Sequence, residues 1–427
     1  MKIRVCLLLS LLATTITWLY SVRIQRPWAQ HMGEVHGGIN TQLGDLYPRW
    51  LGTRELLLRG RNPYGPEVSQ EIQIALYGHA VPQNNLEPGH KIIDEQRFAY
   101  PLYVVFLFAP TVYADFAEVQ RWAPFVLALL TVTNVIFCLR ILRWHLPPET
   151  VTALVLFTLS SPQIVQGLRH QQLALVVGFL LTAGAWCVTS NHLATAGALL
   201  AFSTIKPQMA LLPLCWFAIW AAGDGHKRWR LPAAFLATLT VLIGACEWIL
   251  PGWLGYFLAG AAAYRRYFPT SSLLRWALGH TVGDILAGFV VLGLFALAWR
   301  HRRAASDSRQ FVSTLAAFLM GTILVFPLFT PFNQVLLILP TMLLLQDWRT
   351  LSRFARLVLI VFLSWPWIIS AWLLTFPPQS NSTNEFPLLP LFLVSFFPFI
   401  LPLLLIARQA KPGEPWFPAT GSLPASP

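Results

Sequence analysis

LATAGALLAFSTIKPQMALLPLCWFAIWAA, residues 193–222, is the stretch on which the reading of this fold turns. It is apolar nearly throughout and longer than the roughly 20 residues that cross a bilayer. Its one charged residue, Lys206, stands directly before Pro207 near the middle. A proline removes a backbone donor and biases the residue before it away from the helical region. The run therefore reads either as one kinked span or as two short ones, and the parity of the middle of the chain hangs on that choice. An ionised side chain within an apolar run costs on the order of 2.5–3.5 kcal/mol on insertion scales, and such residues are functional candidates by default. The bland alternative for Lys206 is a lysine snorkelling from a helix break.

The surrounding sequence is of the same kind. The 427 residues are 56% hydrophobic and 11% charged, with a mean hydropathy of +0.57. A soluble domain carries about 25% charged residues, so the composition is that of an integral membrane protein. The net charge of +12 does not point to nucleic acid as a partner. Many of the Lys and Arg fall in short turns between apolar runs, where they orient helices in the membrane. The 18 Trp and 10 Tyr suit the two interfacial belts, and the 32 prolines suit broken helices. Cys6, Cys138, Cys187, Cys215 and Cys246 are scattered through apolar runs without C-x-x-C spacing, so neither a disulfide frame nor a metal site is expected.

Apolar runs of span length recur near 4–22, 98–114, 119–142, 150–166, 172–190, 193–222, 231–250, 281–299, 310–328, 331–347, 355–376 and 387–407. They predict an all-α bundle of about twelve transmembrane helices. Lys2 and Arg4 precede the first run, and no small-x-small cleavage site closes it. It reads as an uncleaved anchor with a cytoplasmic N-terminus. The basic loops 224–230, 300–309 and 349–356, with Arg408 and Lys411, then fall inside, and the Lys- and Arg-free segment 377–386 falls outside. Two places run against that rule: Arg140 and Arg143 fall near the outer side, and Arg169 falls inside. Residues 1–410 form one polytopic membrane domain with two long outer loops, about 22–97 and 251–280. The Pro-, Gly- and Ser-rich tail 411–427 reads as disordered. No internal repeat is visible.

The first outer loop holds the densest polar stretch, GDLYPRWLGTRELLLRGRNPYGPE, residues 44–67. Pro48 suits a first helical turn, Glu55 and Arg59 are spaced as an i,i+4 pair, and Gly60 suits the position past the end. Trp50, Leu51, Leu57 and Leu58 share a face, which predicts a short helix lying on the membrane surface. Asn62-Pro63-Tyr64-Gly65 is a turn, and Pro66 opens a second short helix ending near Gly78. Asp45 sits just before the first helix, where the helix dipole favours a carboxylate. On these residues alone, Asp45 reads equally well as a helix cap with lipid-anchoring arginines or as a functional group.

The order of motifs resembles glycosyltransferase family 87, of the GT-C superfamily of polyprenyl-phosphate-sugar-dependent enzymes. It runs from an apolar span to G-D-x-Y, an arginine-bearing helix, R-G-R-N-P-Y, and Phe98-Ala99-Tyr100-Pro101 at the next run. Arg169-His170-Gln171-Gln172-Leu173, Ser203-Thr204-Ile205-Lys206-Pro207 and Pro331-Phe332-Asn333-Gln334 fit the same pattern. The resemblance implies a GT-C-like bundle with short surface helices in the first outer loop. It also implies an enzyme that moves a hexose, such as mannose, from a polyprenyl phosphate sugar to an outward-facing lipid or glycan acceptor. The first-loop aspartate of that family is the general base, and Asp45 matches it. Where the family often carries an aromatic-His pair, this chain has Asn333-Gln334.

The implied chemistry suits these residue types. A polyprenyl phosphate sugar departs as a phosphate ester and needs no general acid, so inverting displacement requires one carboxylate, where a glycoside hydrolase uses two. Cations must hold the phosphate as charge builds on it. Candidates are Lys206, Arg54, Arg265, Arg266 and Arg275. The competing readings are interface anchoring for Arg265 and Arg266 and a structural role for His170. Tyr47, Arg49, Tyr64, Tyr100, His170, Gln171, Asn333 and Gln334 are the candidate substrate-binding residues. No metal or other cofactor is expected, since no ligand cluster is visible. Partners would be the donor, the acceptor and membrane lipid, with the active site on the outer face of the cell (inner or plasma) membrane. A transporter or flippase of lipid-linked sugars is the competing class. It should concentrate ionisable residues near the midplane and show repeats, whereas here they lie mostly in the outer loops. A structural scaffold would need neither Asp45 nor Lys206.

Overall fold

The computed structural model describes residues 2–27, 43–81, 96–267, 272–327 and 330–376. Every regular element among them is helical. The longer helices are α1 (Lys2–Tyr20), α2 (Leu46–Arg59), α3 (Pro66–Tyr77), α4 (Phe116–Ile141), α5 (Pro148–Leu159), α6 (Pro162–Arg169), α7 (Leu173–Thr189) and α8 (Leu193–Ser203). They continue with α9 (Pro207–Ala222), α10 (Arg230–Ile249), α11 (Trp253–Tyr267), α12 (Leu273–Leu278), α13 (His280–His301), α14 (Arg309–Val325), α15 (Ile338–Gln346) and α16 (Arg353–Thr375). The apolar run 387–407 and the tail 411–427 lie outside the described residues.

Five of these helical stretches are long and apolar enough to cross a membrane: Arg4–Ile24, α4, α10, α13 and α16. The pair α5 and α6, bent by 62°, makes a sixth if counted as one span. The expected count of about twelve is not reached, because the remaining apolar runs form helices of 10–17 residues. The reason is enclosure. Leu173, Ala174, Leu175, Val177, Leu181, Ala185 and Val188 of α7 are all buried in the protein. Short or broken helices are tolerated at membrane depth where protein, not lipid, covers them.

The opening stretch is two helices, α8 and α9, separated by Thr204-Ile205-Lys206. The run at 98–114 is also short, with its helical core at Leu102–Thr111, and it packs against α2. Before it, the Tyr100 ring lies under the Arg49 guanidinium, 4.6 Å from it. At its close, the Thr111 carbonyl accepts a 3.2 Å bond from Trp50 Nε1.

Contacts draw several of the basic segments together. Arg143 pairs with Asp307 at 2.7 Å. Arg228 donates to the carbonyls of Trp220 (2.6 Å), Arg302 (2.8 Å) and Ala304 (2.9 Å). Gln346 Nε2 reaches the Leu142 carbonyl at 2.9 Å. Gly223 is needed here, since a Cβ on it would meet the Arg302 carbonyl oxygen at 2.1 Å. The segments carrying Arg140, Arg143, Arg228 and Arg302 therefore meet at one end. His170, which follows Arg169, lies at the other end beside Asp45, with its carbonyl 3.1 Å from the Asp45 N–H.

The helix expected to lie on the membrane surface, α2, docks on protein through Leu46, Trp50 and Leu56. Leu46, Trp50 and Leu56 are buried, and only Leu57 and Leu58 of the apolar set are exposed. The Trp50 and Tyr47 rings pack on Phe116 at centroid distances of 5.2 and 4.9 Å. The helix closes on Gly60 in the left-handed conformation, φ 65°.

Candidate active site

Gly44 and Asp45 enter α2 against the turn that ends α6. Gly44 has φ +61°, and a Cβ there would meet the His170 carbonyl oxygen at 3.1 Å. A bare, left-handed residue is thus what lets the next N–H, that of Asp45, reach the same oxygen. Asp45 stands at the N-cap position, yet its side chain makes no capping hydrogen bond. The other carboxylate of α2 is treated differently. Glu55, 2% exposed, is held by Arg59 at 2.8 Å and Arg61 at 2.7 Å. Arg61 also reaches Glu71 on α3 at 2.8 Å. Glu55 is consumed by structure, whereas the Asp45 carboxylate has no ion-pair partner among the described residues.

Arg49, one turn after Asp45, donates to the Asp45 carbonyl at 2.7 Å while lying over the Tyr100 ring. Tyr64 donates its hydroxyl to the Tyr100 carbonyl at 2.7 Å and sets its ring against Phe98. The Asn-Pro-Tyr turn therefore pins the segment that carries Tyr100. Burial raises the Tyr100 phenol pKa, the Arg49 charge opposes that shift, and the Asp45 charge adds to it. Burial likewise lowers the His170 imidazole, with Asp45 opposing, so the ring is neutral near pH 7.

Lys206 arrives from the break between α8 and α9, at the N-cap of α9. It is 7% exposed. Its ammonium donates to Asn333 Oδ1 at 3.0 Å and lies 5.0 Å from the Phe332 ring centroid. Burial lowers its pKa to about 7, the Asp45 carboxylate opposing that shift and the Arg49 charge adding to it. Asn333 and Gln334 come from the 3₁₀ segment Pro331–Leu337, and Gln334 approaches Gln163 of α6 at 3.5 Å. Two residues before Lys206, Thr204 receives the Tyr103 hydroxyl at its carbonyl, 3.0 Å away.

Asp45, Arg49, Tyr100, His170, Lys206, Asn333 and Gln334 thus come to one end of the bundle from five separate elements. Other candidates are held elsewhere. Arg54 stacks on Trp50, 5.1 Å away, and lies nine residues from Asp45 at roughly 100° per residue, on the opposite side of α2. Arg275 is paired with Asp284 at 2.6 Å. Gln171, left-handed at φ 53°, reaches the Gln120 carbonyl at 3.3 Å. Tyr47 is engaged with Phe116. The side chains of Arg265 and Arg266 lie outside the described residues. Gln163, Tyr103 and Thr204 were not singled out by sequence. Gln163 alone left a signal there, as an amide in an apolar run. Among the described residues no three His, Cys, Asp or Glu side chains are grouped to hold a metal.

A carboxylate and a buried ammonium, attracting each other without forming an ion pair, can accept a proton on one side of a bound group and hold an anion on the other. Comparison with known proteins gives one match, to the model described as glycosyltransferase family 87, over residues 98–331. That range contains His170 and Lys206, begins after Asp45 and α2, and ends before Asn333. No curated protein and no solved structure matches the chain.

Proposed function

This chain belongs to glycosyltransferase family 87, a membrane glycosyltransferase, and from that premise we propose that it transfers a hexose, such as mannose, from a polyprenyl phosphate sugar to a lipid or glycan acceptor with inversion. Asp45 takes the proton of the acceptor hydroxyl, and Lys206 holds the departing phosphate. The reading rests on one observation: the Asp45 carboxylate and the buried Lys206 ammonium feel each other's charge and are not joined as a salt bridge. A phosphate near Lys206 also sits at the N-terminus of α9, whose dipole favours an anion. The test is to supply membranes holding this protein with radiolabelled polyprenyl-phosphate hexoses and identify the labelled product. Absence of transfer from every such donor would remove the donor class.

Lys206→Ala should raise the donor KM by about 10- to 100-fold, the worth of a hydrogen bond to a charged group. The acceptor KM should change far less. An unchanged donor KM at equal expression removes Lys206 from the site.

The active site is proposed to open on the outer face, because the basic loops gather at the opposite end. Glu67 and Lys227 are 80% and 85% exposed and follow α2 and α9 respectively. In intact cells Glu67→Cys should react with a membrane-impermeant maleimide and Lys227→Cys should not. The reverse pattern would invert the protein.

A further inference from the structure

We infer that Asn333 is a positioning residue for the donor phosphate, acting through Lys206: it fixes the buried ammonium without cancelling its charge. The inference rests on the reading of Lys206 as the phosphate-holding cation and adds how that cation is kept available.

Among the described residues the other buried charges are satisfied by opposite charges or, for Arg228, by three backbone carbonyls. Glu55 is paired with Arg59 and Arg61, and Arg309 is paired with Asp347. Lys206, just as buried, has a neutral amide and a phenyl ring instead. Among the described residues no carboxylate forms an ion pair with it. A lysine ammonium can only donate, so the atom facing it must be the amide oxygen of Asn333. The rest of the amide is fixed to match. Its Nδ2 donates to Thr330 Oγ1 at 2.6 Å, and the Asn333 N–H bonds the Thr330 carbonyl at 3.1 Å. Asn333 itself is 2% exposed.

The amide uses one of three ammonium protons and contributes no net charge. The other two donors are left for an anion, whose own charge would favour the ammonium form. Aspartate has almost the same shape and would hold Lys206 at least as firmly. It would also neutralise the ammonium and place a second negative charge beside the incoming phosphate. Position 333 thus needs a neutral acceptor.

Asn333→Asp and Asn333→Leu are compared with wild type in the purified full-length protein, using the radiolabelled polyprenyl-phosphate hexose that the wild type turns over. Asn333→Asp should raise the donor KM about 10- to 100-fold with kcat within a few-fold, and Asn333→Leu should raise it less. A structural role predicts the reverse order, since leucine loses both hydrogen bonds and aspartate keeps an acceptor for Lys206. A leucine effect equal to or larger than the aspartate effect overturns the inference, as does an unchanged KM in Asn333→Asp. If Asn333→Asp does not accumulate, Thr330→Val decides: a raised donor KM at unchanged kcat supports the inference and an unchanged KM overturns it. A wild type that uses no polyprenyl-phosphate sugar removes the donor reading itself, and this inference with it.

Discussion

Asp45→Asn is expected to lower turnover by about 10²–10⁴-fold, the usual cost of removing a general base, while donor affinity stays near that of wild type. The substitution keeps the size of the side chain and its hydrogen-bonding capacity, and it cannot accept the acceptor's proton. The fold should survive it. The Asp45 side chain makes no capping bond to α2, and its backbone N–H, which bonds the His170 carbonyl, is unchanged by the substitution. Asparagine also caps helices about as well as aspartate, so a merely structural Asp45 would tolerate the change. Donor binding is assigned to Lys206, on a different element, which is why kcat and KM should separate. The measurement is turnover and donor affinity of the purified variant. Near-wild-type turnover sinks the base assignment.

Arg309→Leu is expected to cost about 3–5 kcal/mol of stability. Arg309 and Asp347 are 9% and 7% exposed, and the guanidinium also holds Gln346 Oε1 at 3.0 Å. Gln346 in turn ties the α15 end to the Leu142 carbonyl. Removing the arginine leaves a buried carboxylate without its cation. Removing both charges should not, so the double variant Arg309→Leu, Asp347→Leu should recover most of the loss. Thermal unfolding in detergent reads both. A single variant no less stable than the double would show that the pair contributes nothing specific.

The sequence by itself determined the class and the list of suspects. Apolar length and charge scarcity are local properties, so a helical membrane protein was legible at once, as were the turns at Gly60 and Pro66. Arg143 was expected on the other side from the loop 300–309, yet it pairs with Asp307 there. Whether an apolar run crosses depends on what covers it, and hydropathy does not record cover. Leu102–Thr111 is short and packs against α2 because protein encloses it, and 193–222 divides at Lys206 because the break is likewise enclosed. The site divides in the same way. Asp45 and Lys206 stood out by their charge against an apolar background, and motif order joined them. Arg54 stood out equally, and only the phase of α2 turned it away. The contact between Lys206 and Asn333 spans 127 residues and has no local signature. The two meet because the Pro331–Leu337 segment packs against the α8–α9 break, and packing between distant segments is what the tertiary structure alone decides.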